Sequence, residues 1–108
     1  MATLVEDVQV AGIADPRGCS VRLYVVDAAG TPIDAWTDTD VTVPIGPLGF
    51  PVAADGGWSQ TVPNIVAPTG TKWRRLLIQN SRTVGDVILD VPQDSGTYNV
   101  VDIAEPFG

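Results

Sequence analysis

Asp55-Gly56-Gly57 followed by Trp58-Ser59-Gln60-Thr61-Val62 leaves this chain little freedom. Aspartate and glycine tolerate positive φ, so a tight turn there feeds an extended segment with Trp58, Gln60 and Val62 on one face. A proline-bearing crossover over residues 63–68 leads to a long strand at 71–80. The sequence then predicts a turn over Ser81-Arg82-Thr83-Val84-Gly85, a strand at 86–91, a second turn over Pro92-Gln93-Asp94-Ser95-Gly96 and a strand at 97–103. Strands separated by turns every eight to twelve residues are the grammar of a β-sandwich.

Upstream, residues 20–26 alternate most clearly. Val21, Leu23 and Val25 share one face and Arg22, Tyr24 and Val26 the other, which predicts a central strand ending in an Asp27-Ala28-Ala29-Gly30 turn. Residues 31–36 return extended, with Pro32 confined to a strand start or an edge because it cannot donate to a ladder. Residues 40–43 read as a short strand. Val8 and Val10 share a face near the start, so residues 1–12 are either a first strand or an arm. With 11 Gly, 9 Pro and no capped helical periodicity, the 108 residues predict one all-β domain. The expected architecture is a single antiparallel β-sandwich of about seven or eight strands, immunoglobulin-like or prealbumin-like. An N-terminal strand or arm and loop would occupy residues 1–19 and the sandwich residues 20–108.

The order of a strand, Asp27-x-x-Gly30-x-Pro32, Asp55-Gly56-Gly57-Trp58-Ser59, Pro68-x-Gly70-Thr71-x-Trp73-Arg74, an apolar strand, Val91-Pro92 and Gly96-x-Tyr98-x-Val100-x-Asp102-Ile103 resembles the small β-sandwich domains of bacteriophage virion proteins. It is similar in particular to those at the start of tail fibres and minor tail proteins of phages infecting actinobacteria. The resemblance runs from about residue 20 to residue 103. It implies a non-enzymatic structural protein of the virion, made in the host cytoplasm and assembled in several copies through contacts with itself and other virion proteins, a trimer being one arrangement. A chain ending at Gly108 without a shaft also fits a capsid decoration protein that cements the head lattice.

Charge and composition narrow the remaining classes. A net charge of −7, from 13 acidic and 6 basic residues, repels phosphate backbones and anionic lipid, so neither nucleic acid nor a membrane is an expected partner. No apolar run approaches the length of a membrane span, and the acidic start is unlike a signal peptide. Histidine is absent and Cys19 is the only cysteine, which removes imidazole-based nucleophilic catalysis, cysteine zinc sites and intrachain disulfides. No catalytic residue, cofactor or metal is expected. Asp34, Asp38 and Asp40 cluster, but without the central glycine and terminal glutamate of an EF-hand loop they read as a solvated acidic turn.

Three features suggest contact surfaces instead. Pro44-Ile45-Gly46-Pro47-Leu48-Gly49-Phe50-Pro51 is too apolar for a solvent-facing linker. Its Ile45, Leu48 and Phe50 are expected to form a stiff finger that docks on a partner, the alternative being a cap on the chain's own core. Lys72, Arg74 and Arg75 lie on one strand, Lys72 and Arg74 on one face and Trp73 and Arg75 on the other. There an arginine of one copy can meet an acidic turn of the next. Among the tryptophans, Trp58 and Trp73 suit the core, whereas Trp36, between Asp34 and Thr37, is expected at the surface, where it offers a contact for a host glycan.

Overall fold

Alternation of apolar and polar residues decides which side chains of this chain face inward, and two eight-residue strands set the frame. In the computed structural model, residues 2–37, 42–43, 48–92 and 94–105 are described. The elements are β1 (Ala2–Asp7), β2 (Cys19–Val26), β3 (Ala35–Thr37), β4 (Thr42–Val43), β5 (Leu48–Pro51), β6 (Gly57–Val62), β7 (Ile65–Ala67), β8 (Lys72–Gln79), β9 (Arg82–Leu89), β10 (Gly96–Asn99), the helical turn α1 (Val100–Ile103) and β11 (Ala104–Glu105). A five-stranded sheet runs β11-β9-β8-β2-β5, and two three-stranded sheets run β10-β1-β6 and β4-β3-β7. Val21, Leu23 and Val25 of β2, with Trp73 and Leu77 of β8, meet Leu4, Trp58 and Val62 from the β1–β6 sheet in one core. The chain is an all-β sandwich. The eleven strands among the described residues exceed the expected seven or eight because several edge pieces, β4 and β11 among them, are only two residues long.

Turn chemistry places the hairpins. Asp27 Oδ1 accepts from the backbone N–H groups of Ala29 and Thr31 at 2.9 and 3.0 Å, and Gly30 takes φ 89°. Asp55 Oδ1 accepts from the Gly57 N–H at 2.9 Å while Gly56 takes φ 91°, the geometry that the Asp-Gly-Gly run predicts. Between β8 and β9 the turn is tighter than expected. Asn80 and Ser81 both adopt positive φ, so β9 begins at Arg82, and residues 82–85 belong to the strand rather than to a turn. The ladder takes up the difference with a bulge between Leu77 and Ile78.

One open alternative is decided and two further expectations change. The start of the chain is an integral strand. β1 lies between β6 (antiparallel) and β10 (parallel), with Ala2, Leu4 and Glu6 inward, and Val8 to Gly12 form a turn in which the predicted Val8/Val10 alternation has no strand to act on. The segment expected as a finger contains β5, an edge strand paired with β2 through Val21↔Phe50. Phe50 packs on its own core, its ring 5.2 Å from that of Trp58 at an interplanar angle of 55°. Ile45 lies outside the described residues, as does the side chain of Leu48. Finally, residues 97–103 do not form one strand: β10 stops at Asn99, whose Oδ1 caps α1 by accepting from the Val101 N–H at 3.1 Å.

Candidate functional site

β8 carries the residues on which the site is built. Trp73, Arg75 and Leu77 point inward and Lys72, Arg74 and Leu76 outward, as period-two alternation demands. An inward arginine requires a buried counter-charge. Glu6 supplies it from β1, where it follows Ala2 and Leu4 in the inward row. Arg75 Nη2 donates to Glu6 Oε2 at 2.8 Å and Trp58 Nε1 donates to Glu6 Oε1 at 3.0 Å. The Arg75 and Glu6 side chains are 6% and 7% exposed. One carboxylate therefore ties three strands across the two layers. Gly85 of β9 makes room for it: a Cβ there would stand 2.9 Å from Arg75 Nη1 and 3.0 Å from Leu77 Cδ1.

Over this pair lies a cleft of about 190 Å³, bounded by the end of β1 and its following turn, by Val87 of β9 and by α1. Val10 and Val101 stand at its rim, 73% and 63% exposed. Arg75 Nε is buried and has no hydrogen-bond acceptor among the described residues. The cleft sets an apolar rim over a buried ion pair. Its one buried carboxylate is held by two donors, the lone thiol of Cys19 is buried elsewhere in the core, and burial pushes that thiol's pKa up. Among the described residues no group of three or more Cys, Asp or Glu side chains is arranged to hold a metal ion.

The residues singled out in the sequence fall in different places. Lys72 and Arg74 find acidic partners within the chain. Lys72 Nζ bonds Asp90 Oδ1 at 2.6 Å. Arg74 grips Asp86 with Nε and Nη2 at 3.0 and 2.6 Å and donates from Nη1 to the Gly30 carbonyl at 3.0 Å. Asp86 thereby raises the arginine's pKa. Arg75, by contrast, is buried and lies apart from the outward face that carries Lys72 and Arg74. Trp58 and Trp73 are core residues, as expected. Trp36 is 38% exposed and Val66 of the adjacent β7 is 51% exposed. Asp34 is exposed, while Asp38 and Asp40 lie outside the described residues.

Sequence reasoning missed Glu6, Val10 and Val101. Extending the Val8/Val10 face back through Glu6 to Leu4 and Ala2 puts a glutamate in an otherwise apolar row, which is the one local sign of a buried pair. The chain matches no protein-family model and no curated protein.

Proposed function

We propose that this protein is a non-enzymatic structural component of a bacteriophage virion, a minor tail protein or the base module of a tail fibre, held in several copies by contacts with itself and other virion proteins. The observation that carries the reading is the role of the Asp-Gly-Gly-Trp-Ser segment. The segment carrying the resemblance is a fold element here: its turn aims Trp58 into the core between the layers, where the indole meets Phe50 and hydrogen-bonds Glu6. Electron microscopy of gold-labelled particles, with mass spectrometry of purified virions, tests the reading. Label on the tail axis supports it, label on the head lattice replaces it with capsid decoration, and absence from particles refutes both. The half-exposed Trp36, beside Val66, supports a second reading as a glycan-binding attachment module. Glycan-array binding lost on Trp36→Ala would favour that reading.

A further inference from the structure

We infer that the cleft over Arg75 docks a segment of a partner polypeptide through one aliphatic side chain flanked by Lys or Arg, with an uncharged main-chain carbonyl set against the Arg75 guanidinium. This inference stands on the cleft alone and does not depend on where the protein resides.

Size limits the occupant first. At about 190 Å³ the cleft is smaller than the ~300–1,000 Å³ typical of small-molecule pockets, so it suits a single side chain. Its walls are Val10, Ala11, Val87, Val100, Val101 and Ala104, which select an aliphatic group. Two of the four large apolar side chains exposed among the described residues, Val10 and Val101, stand at this one rim, so burying them is a favourable part of docking.

Charge then selects the flanks. Glu6 cancels Arg75 inside the cleft, and Asp7, exposed at the lip, leaves the surroundings negative. Asp102 of α1 is exposed as well, on a chain whose net charge is −7. A partner carboxylate would meet this field unfavourably, whereas Lys or Arg on either side of the aliphatic residue complements it. The floor still asks for an acceptor, because Arg75 lines the cleft and among the described residues its guanidinium bonds only Glu6, through Nη2. A neutral carbonyl meets that need without adding negative charge. An extended segment also finds a neighbour here: β10 ends at the lip with Asn99 and is the edge of its sheet among the described residues.

The test is an NMR titration of the full isotope-labelled chain with the peptide Ac-Lys-Leu-Lys-NH2, against Ac-Glu-Leu-Glu-NH2 and Ac-Lys-Ser-Lys-NH2. Saturable shifts are expected at the Val10, Asn99 and Val101 amides and at the Arg75 Nε–H. Apparent affinity should be at least tenfold weaker for either control peptide and for the Val101→Ser variant, whose exposed position lets it keep the wild-type spectrum elsewhere. Absence of saturable shifts, an equal response to either control, or an unchanged response in Val101→Ser overturns the inference. Two other occupants are distinguished in the same experiment. If the cleft resonances of the free chain move on dilution, a second copy fills the cleft. If they move in the free chain on Phe107→Ala, a residue outside the described set, the chain's own end fills it. Either result also overturns the inference.

Discussion

Glu6→Gln removes one charge from the core while keeping the side chain's shape, and its cost follows from the geometry around it. Glu6 accepts from Trp58 Nε1 and from Arg75 Nη2, and the guanidinium left behind is buried. An uncompensated charge at such depth costs about 3–5 kcal/mol. A domain of this size has a total stability of roughly 5–15 kcal/mol, so the variant should be close to unfolding. Arg75→Met should cost a similar amount, because it leaves a carboxylate buried among apolar groups. The double variant Glu6→Gln/Arg75→Met removes both charges, keeps an acceptor for the Trp58 N–H and leaves only the glutamine NH2 without a partner, a loss of about 1–3 kcal/mol. Urea unfolding of the four proteins closes a double-mutant cycle, with equal m-values as the check on two-state behaviour. The expected coupling is about 3 kcal/mol or more in favour of the pair. Single variants that each lose less than about 1 kcal/mol, or losses that add within about 0.5 kcal/mol, would refute the reasoning.

Gly85→Ala should lower stability by about 1–3 kcal/mol in thermal melts, since its Cβ would press on Arg75 Nη1 and on Leu77. The loss should shrink in an Arg75→Met background, and an equal loss in both would place the clash on Leu77 instead. Deleting residues 1–7 should abolish cooperative unfolding, because β1 fills the space between β6 and β10 and carries Leu4 and Glu6; a truncated chain that still melts cooperatively would return the segment to the status of an arm. Arg17 forks onto Asp15, and its side-chain hydrogen bonds lower that carboxyl's pKa from 3.8 to about 2. Because the folded value is depressed, whatever the exposed pair contributes is present above pH 3.8 and lost as pH falls through about 2. Carbon-13 NMR should show Asp15 titrating near 2, and higher in Arg17→Ala but still below 3.8, because the backbone N–H of residue 17 still donates to it. Cys19 is buried and its thiol pKa is raised, so thiol reagents should label it only as the chain unfolds, with a rate that rises across the urea midpoint.

Much of the sandwich is readable from neighbouring residues, because alternation and turn chemistry act over only a few positions. The inward rows of β2 and β8 and the turns at Asp27–Gly30 and Asp55–Gly57 depend on residues no more than a few places apart. Position 80 shows the limit of such reading. Nothing local distinguishes a two-residue Asn80-Ser81 turn from a longer one over 81–85 until β9 is paired with β8 and the bulge absorbs the extra residue. Residues 48–51 likewise read as an exposed apolar loop until β2 offers them an edge and Trp58 offers Phe50 a ring.

The sequence by itself determined the class of fold, the absence of imidazole chemistry and the face that Arg75 shares with Trp73. It did not determine what Arg75 meets there. Glu6 lies 69 positions away and Trp58 lies 52 positions from Glu6, so only the packing of one sheet on the other brings the three side chains within hydrogen-bond reach. The same packing sets the turn carrying Val10 beside the helical turn carrying Val101 and opens the cleft between them. A strand's alternation is local sterics and survives in any tertiary context; a buried charge pair and the cleft above it belong to contacts between layers, which no window of neighbouring residues contains.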